Sequence, residues 1–240
     1  VGLLLSFVFF QMGRDFPAVQ NRIGLLFFVP VNLLFIIFLS LISVFTKDRA
    51  IILRERSSDT YRIFSAYVAK FISILPMQFL ITTVYSFIVY YVTGLRTDGF
   101  QYFLIFYGFC LLISLCAICC GLLIGALVPS TEIGMLVGPM TVAIFLIFGG
   151  NLANTSTVTW ILRWIQYISP VFYCFIAMIQ NELRGQDFDG VSGDFYLEQY
   201  YFEPVTITWC MGALFILSGS FLTLGYFAVN WSTKPKTIIL

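Results

Sequence analysis

The side chains that could carry chemistry in this 240-residue chain are few, and histidine is absent. Without histidine the chain cannot form a Ser-His-Asp triad, an HExxH zinc site or a histidine proton relay. The sequence contains no GxxxxGK[ST] loop, so it cannot bind ATP by that route. It also lacks the paired aspartates within apolar stretches that an intramembrane protease would need. We therefore predict no catalytic residue and no metal site.

The ionisable residues that ion-coupled transport usually requires are also missing from the apolar stretches. A secondary transporter generally buries an acid, a histidine or a lysine near the membrane midplane. The long uncharged stretches of this chain contain no such group, and Glu132 lies in a turn between two of them. Proton coupling is therefore not predicted, although sodium sites built from backbone and hydroxyl groups stay open. If the chain moves molecules uphill, the energy must come from another domain.

The cysteines lie in apolar stretches, where a thiol behaves as a small hydrophobic group. Their positions are Cys110, Cys116, Cys119, Cys120, Cys174 and Cys210. Cys116 and Cys119 have the spacing of a redox or metal motif, but they have no basic neighbours and no second ligand pair. We predict that all six pack as small apolar residues.

The composition predicts an integral membrane protein. Hydrophobic residues make up 60% of the chain, against about 45–50% in a soluble domain. Charged residues make up 10%, against roughly 25% in a soluble domain, and the mean hydropathy is +0.94. A soluble globule could not cover that much apolar surface with polar residues. The net charge of +1 gives no electrostatic reason to expect nucleic acid as a partner, so the expected partner is the lipid bilayer.

Long apolar segments, almost free of charge, mark the membrane spans. They cover residues 24–46, 71–95, 101–127, 134–150 and 205–230. Residues 1–10 are apolar but shorter than the roughly 20 residues that a span needs. They are expected to complete a span that begins upstream. We therefore predict an all-α membrane protein with six spanning helices, in which residues 1–240 form a single transmembrane domain.

The distribution of charge predicts which loops face the cytoplasm. Residues 47–70 carry six Lys and Arg side chains, whereas residues 182–203 carry six acids and only one arginine. The positive-inside rule places the first loop and the C-terminus in the cytoplasm. The membrane itself is expected to be the plasma membrane or an internal membrane. The count of spans then requires that residues 158–180 form a re-entrant helical hairpin in the last extracellular loop, broken at Pro170.

The cytoplasmic segment 47–70 alternates charged residues with apolar ones, which indicates two helices lying at the membrane surface. Two interpretations of this segment stay open on the pattern alone. It is either a solvated positive-inside loop or a docking surface for a cytoplasmic partner.

Several short motifs follow one another along the chain: QNRIGLLFF at 20–28, RERS at 54–57 with Tyr61-Arg62, GLLIG at 121–125, IFGG at 147–150 and WIQY at 164–167. In this order they resemble the G subfamily of ATP-binding-cassette transporters, the White and multidrug/sterol half-transporters. None of the motifs is decisive by itself. Their joint order and spacing carry a similarity that covers nearly the whole chain.

The resemblance implies an ABC-2-type transmembrane domain of a half-transporter. It implies a nucleotide-binding domain upstream in the same chain, with ATP and Mg bound there, and a second transmembrane half in a homodimer or heterodimer. The expected function is ATP-driven movement of hydrophobic or amphipathic small molecules or lipids across a membrane. The alternative from another class is an ATP-independent channel or a scaffold-like polytopic membrane protein. The sequence upstream of Val1 would distinguish the two.

The resemblance also implies where substrate binds. Asn32 and Phe35 fall on the family's substrate-clasping positions in the second helix, and Val142, Ala143 and Leu146 fall on lining positions of the fifth helix. A spacing of three residues puts Asn32 and Phe35 on one helix face. The competing interpretation is that Asn32 forms an interhelical hydrogen bond and Phe35 packs against lipid.

The remaining implied sites lie in loops. The extracellular gate of two leucines corresponds to Asn151 and Leu152, so its first leucine is replaced. The contact with the nucleotide-binding domain corresponds to Arg54, Glu55, Arg56, Tyr61 and Arg62. Separately, Asn154-Thr155-Ser156 is a possible glycosylation site close to the membrane.

Overall fold

The computed structural model describes residues 2–13, 16–57, 62–150, 160–188, 190–199 and 205–232. The helices are α1 (Gly2–Val8), α2 (Phe16–Ser57), α3 (Ile63–Thr93), α4 (Phe100–Leu127), α5 (Thr131–Ile147), α6 (Trp160–Ile168), α7 (Pro170–Leu183), α8 (Gly193–Gln199) and α9 (Ile207–Ser232). Strands β1 (Asp187–Phe188) and β2 (Val191–Ser192) form an antiparallel hairpin in which Asp187 pairs with Ser192.

The predicted all-α membrane fold is confirmed. Within the described residues, four apolar helices are long enough to cross a membrane: Ala18–Asp48, Ile63–Thr93, Phe100–Leu127 and Ile207–Ser232. Helix α5 is also apolar but has 17 residues. The predicted spans therefore correspond to α2, α3, α4, α5 and α9, although 71–95 and 134–150 extend two and three residues past the ends of α3 and α5, and 205–230 begins two residues before α9.

The charged segment between the second and third spans is helical but not separate from them. Helix α2 runs without a break to Ser57 and α3 begins at Ile63, so both spanning helices extend beyond the bilayer-length apolar segments. Residues 47–57 contain no glycine or proline that would end the helix. Asp48 and Lys70, whose carboxylate oxygen and Nζ lie 2.6 Å apart, join the two extensions. The predicted surface helices are thus continuations of α2 and α3.

Helix α2 is central, and two glycine pairs let other helices approach it closely. A Cβ added at Gly121 of α4 would lie 2.9 Å from Cβ of Leu41. A Cβ added at Gly134 of α5 would lie 2.6 Å from Cγ2 of Ile42. Both small-xxx-small motifs, 121/125 and 134/138, therefore serve packing within the chain.

The two ends of the bundle differ. At the loop end, defined by residues 46–70, the Tyr67 hydroxyl donates to the Leu222 carbonyl at 3.1 Å, which places the C-terminal half of α9 there. At the cap end, defined by residues 94–99 and 182–199, Gln186 donates to Asp98 at 3.1 Å. The C-terminal half of α9 thus lies beside the loop-end extensions of α2 and α3, opposite the acidic cap.

The α6–α7 hairpin stays in the half of the bundle nearest the cap end. The break falls at Ser169, whose hydroxyl donates to the Phe145 carbonyl at 3.0 Å, and Pro170 begins α7. Phe175 of α7 packs edge-on against Phe27 of α2, with ring centroids 5.2 Å apart. Since α7 has 14 residues and each adds about 1.5 Å, α7 is too short to cross a bilayer. This geometry fits the predicted re-entrant hairpin.

Candidate functional site

One face of α2 is left open by the part of the chain that the structure describes. Phe28, Phe35 and Ile36 are exposed on it, and Asn32 lies between them half-buried. Phe35 exposes 40% of its surface, although it sits in the middle of a largely buried helix. The predicted pair Asn32 and Phe35 therefore lies on the surface of the single chain and not inside its core.

Helix α5 runs antiparallel to α2 and brings the other predicted lining residues to the same depth. A Cβ added at Gly149 would lie 3.0 Å from the Phe27 ring, and one added at Gly138 would lie 2.5 Å from Cδ2 of Leu39. Between these two contacts, α2 contributes Asn32 and Phe35, and α5 contributes residues 142–146.

The three predicted α5 positions differ in exposure. Ala143 is exposed and Leu146 is half-buried, so both can contribute to a surface shared with α2. Val142 exposes 3% and packs into the chain's own core. Around them α5 exposes only apolar side chains, among them Met140, Ile144 and Ile147. The arrangement offers a wide apolar surface with a single amide, which suits an apolar molecule or a matching helix surface.

The loop-end residues predicted to contact a nucleotide-binding domain are partly described. Arg54 lies exposed in the last turns of α2, in the same helical stretch as Glu55 and Arg56, and Arg62 lies exposed just before α3. The side chains of Glu55 and Arg56, and all of Tyr61, fall outside the described residues. The predicted gate, Asn151 and Leu152, and the possible glycosylation site Asn154 also fall outside them.

A buried ion pair near the cap end was not predicted. Arg22 of α2 exposes 3% of its surface and Glu182 of α7 exposes 1%, and the guanidinium donates to the carboxylate. The same guanidinium donates to the carbonyls of Met12 at 3.1 Å and Gly94 at 3.3 Å. The backbone N–H of Arg96 donates to both Glu182 carboxylate oxygens at 3.1 Å. One ion pair thus joins the α1–α2 connection, α2, the α3–α4 connection and α7.

The environment of this pair favours a structural role. Burial raises the pKa of the Glu182 carboxyl group, and the adjacent Arg22 opposes that shift. Two charges removed from water are tolerated only when they pair and find further hydrogen bonds, as they do here. Arg22 precedes Asn32 by ten residues, or about 15 Å along α2. The pair therefore fixes α7 and the cap relative to the helix that carries the candidate site.

The sequence held a usable signal for this pair. Arg22 and Glu182 each border a long apolar stretch, where an unpaired charge is expensive and needs a partner. By charge alone Glu182 groups with the acidic residues of the loop, and Arg22 is one letter of the QNRIGLLFF motif. Their separation of 160 residues hides the pairing from local patterns.

The cysteines match their prediction. All six are free and buried. The Cys116 thiol lies 3.0 Å from the Ser218 hydroxyl, and the Cys174 thiol lies 3.6 Å from the Phe109 carbonyl. Within the described residues, no group of three or more Cys, Asp or Glu side chains is arranged to hold a metal ion.

Comparison with known proteins gives a consistent family. The family model described as "ABC-2 type transporter" matches residues 1–183. The chain is 32% identical over 187 residues to "ABC transporter G family member 7" of Arabidopsis thaliana, covering 78% of this chain and 26% of that protein. It is 29% identical over 189 residues to "Broad substrate specificity ATP-binding cassette transporter ABCG2" of Rattus norvegicus, covering 78% of this chain and 28% of that protein.

A third relative aligns with almost the whole chain. "Protein white" of Drosophila melanogaster is 27% identical over 247 aligned positions, which cover 98% of this chain and 36% of that protein. The chain thus spans between a quarter and roughly a third of the length of these relatives.

Proposed function

This chain belongs to the ABC-2 type transporter family, and we propose that it forms the membrane-spanning half of an ATP-driven transporter of hydrophobic or amphipathic molecules. The observation that carries the proposal is the open face of α2, with Asn32 and Phe35 at the depth of Ala143 and Leu146 on α5. An apolar surface with one amide binds lipophilic molecules by area and orients them through few polar contacts.

The energy is proposed to come from a nucleotide-binding domain of the same full-length protein, which binds ATP and Mg. No residue of this chain is proposed to bind the nucleotide, since the sequence has no GxxxxGK[ST] loop. The names of two relatives support this proposal: the Arabidopsis thaliana protein is called an ABC transporter, and the Rattus norvegicus protein is called an ATP-binding cassette transporter.

The open face of α2 and α5 is proposed to meet a second transmembrane half, in a homodimer or a heterodimer. An exposed apolar surface around an amide is better covered by a matching half than by lipid alone, because lipid cannot satisfy the amide. The substrate path would then run between the two halves, with Asn32 and Phe35 contributed by each copy in a homodimer.

The orientation is proposed to be C-terminus inward. The C-terminal half of α9 lies at the loop end, beside the basic residues 47–70, and the acidic cap lies at the other end. Positive charge is retained on the cytoplasmic side of membranes. The last turns of α2, with Arg54, Glu55 and Arg56, would then face the nucleotide-binding domain together with Tyr61 and Arg62.

The substrate site is tested by Asn32→Ala and Phe35→Ala in the full-length protein reconstituted in proteoliposomes. Each variant should weaken the apparent affinity for a transported lipophilic dye by about tenfold, as expected for a central contact in an apolar site. Phe227→Ala is the matched control, since Phe227 is 64% exposed on α9 at the loop end. If all three variants retain the wild-type affinity, the assignment of α2 as the substrate-binding helix is wrong.

The contact with the nucleotide-binding domain is tested by Glu55→Ala in the same preparation. The variant should bind ATP normally but lose substrate-stimulated hydrolysis and transport together, because an interfacial charge would be missing. Glu198→Ala, which changes an exposed acid in α8 at the cap end, should leave both activities at wild-type levels. Unchanged stimulation and transport in Glu55→Ala would make Glu55 an ordinary solvated charge.

A further inference from the structure

A groove separate from the α2–α5 surface lies between the α6–α7 hairpin and the first half of α9. We call it the α9 groove, and its volume is about 460 Å³. Its lining is uncharged and consists of Tyr167, Tyr173, Thr206, Thr208, Trp209, Gly212, Ala213, Ile216 and Leu217. No lining residue belongs to α2 or α5, so the groove is distinct from the candidate substrate surface.

The groove has the length and the setting of one membrane leaflet. From Thr206 to Leu217 the chain advances eleven residues, or about 16 Å at helical rise. This is close to half of the roughly 30 Å hydrocarbon thickness of a bilayer. The outer face of α9 beside the groove is apolar, with Phe215 55% and Ile216 73% exposed. The groove therefore opens to lipid on the cap-end side of the membrane.

The two ends of the groove differ in chemistry. The Thr206 and Thr208 hydroxyls and the Trp209 indole stand near the cap end, whereas Tyr167 adjoins the hairpin break at Ser169 and lies deeper. Trp209 exposes 67% of its surface, and such an aromatic side chain settles at the depth of lipid headgroups. Each of these three cap-end groups can donate a hydrogen bond, and the indole N–H can only donate.

The floor of the groove is open. A Cβ added at Gly212 would meet no atom within 4 Å, and Ala213 beside it carries only a methyl group. Ile216 and Leu217 line the end of the groove farther from the cap. An apolar chain could therefore lie along α9 against small residues without displacing any side chain.

We propose that the α9 groove binds one acyl chain of a phospholipid from the cap-end leaflet, with its ester carbonyls at the Thr208–Trp209 rim. Ester carbonyls are acceptors only and match a rim of donors, whereas a sterol offers a single hydroxyl. The uncharged lining leaves the phosphate headgroup outside, at the water interface. This inference requires only that the chain lies in a bilayer, so it stands or falls separately from ATP-driven transport.

The test uses the full-length protein in bilayers that contain a photoreactive phosphatidylcholine with a diazirine in its acyl chain. A parallel sample contains a photoreactive cholesterol analogue. After illumination, labelled peptides are mapped by mass spectrometry. The phosphatidylcholine probe should label peptides that contain Tyr167, Tyr173 or Trp209, and excess unlabelled phosphatidylcholine should reduce that labelling.

Two glycines on one helix provide a matched pair of variants. Gly212→Leu fills the groove, whereas Gly219→Leu adds the same side chain seven residues later, where an added Cβ likewise meets nothing within 4 Å and which lies outside the lining. Gly212→Leu should reduce labelling at the groove about tenfold, and Gly219→Leu should not change it. Thr208→Val, which keeps the side-chain shape and removes the rim hydroxyl, should reduce labelling without affecting folding.

Three results would overturn the proposal. Equal labelling in Gly212→Leu and Gly219→Leu would mean that the groove has only generic contact with surrounding lipid. Preferential labelling by the cholesterol analogue would make a sterol the occupant. Unchanged labelling in Thr208→Val, in protein that elutes as the wild type does in size-exclusion chromatography, would remove the ester contact.

Discussion

At the residue scale, Arg22 and Glu182 are the most consequential side chains outside the α2–α5 surface. Their ion pair is buried and is hydrogen-bonded to two backbone segments: Arg22 donates to the Met12 and Gly94 carbonyls, and Glu182 accepts from the backbone N–H of Arg96. A buried pair of this kind adds little net stability relative to apolar residues of similar volume, yet losing one partner leaves an uncompensated charge. We therefore expect the two residues to depend strongly on each other.

Glu182→Gln should lower the stability of the protein by about 3–5 kcal/mol, because Arg22 stays charged and buried without its partner. The midpoint of thermal unfolding in detergent measures this effect. Replacing both residues, Arg22→Met with Glu182→Met, should recover most of the loss. Glu198→Gln is the control, since Glu198 is an exposed acid in α8. Equal unfolding midpoints for Glu182→Gln and Glu198→Gln would show that the Arg22–Glu182 ion pair does not contribute to the stability of the folded protein.

At the scale of elements, α2 and α4 form the buried centre of the bundle. Helix α4 packs on α2 through Gly121 and Gly125, and α5 packs on α2 through Gly134 and Gly138. Close approach of this kind improves the van der Waals packing that helps helices associate in lipid, where no hydrophobic effect acts between them. Because α5 covers only part of α2, the face with Asn32 and Phe35 stays open.

The packing of α4 on α2 is tested by comparing two glycines of α4. A Cβ at Gly121 would lie 2.9 Å from Leu41 Cβ and 3.3 Å from the Phe38 carbonyl oxygen, whereas a Cβ at Gly108 would meet nothing within 4 Å. Gly121→Val should therefore cost about 1–3 kcal/mol by forcing the helices apart. Gly108→Val should change stability far less in the same thermal unfolding assay. The opposite order would refute the close α2–α4 contact.

Local signals in the sequence were enough for most elements but not for their mutual arrangement. Uncharged stretches located the spans, and Pro170 located the break between α6 and α7, because length, charge and proline act within a few residues. The exposure of Ala143 beside the burial of Val142 depends on how α5 is rotated against α2, which no local pattern encodes. The pairing of Arg22 with Glu182 likewise arises only when distant segments meet.

At the scale of the whole molecule, the two ends of the helix bundle differ in charge: the loop end is basic and the cap end is acidic. The loop end gathers the extensions of α2 and α3 with the C-terminal half of α9, and the cap end gathers β1, β2 and α8. All six native cysteines are free and buried, so the wild-type protein should react poorly with a membrane-impermeant maleimide. This allows single introduced cysteines to report on sidedness.

Glu198→Cys at the cap end and Arg54→Cys at the loop end should label from opposite sides of the membrane. In intact cells, the impermeant maleimide should modify Glu198→Cys directly and Arg54→Cys only after permeabilisation, because basic segments stay in the cytoplasm. This order applies to a protein in the plasma membrane; for an internal membrane, sealed organelles replace cells and the order reverses, because their outer surface faces the cytoplasm. Labelling of both cysteines from the same side would contradict the re-entrant hairpin and the proposed orientation.

Whether this membrane domain works as part of an ATP-driven transporter, as we propose, is decided by measuring vectorial transport. The full-length protein, reconstituted in sealed proteoliposomes, is given a labelled lipophilic compound with either ATP and Mg or ADP and Mg. We predict that the compound moves across the bilayer only with ATP, and that Phe35→Ala reduces this ATP-dependent component. Equal movement with ATP and with ADP would contradict the account and favour an ATP-independent channel.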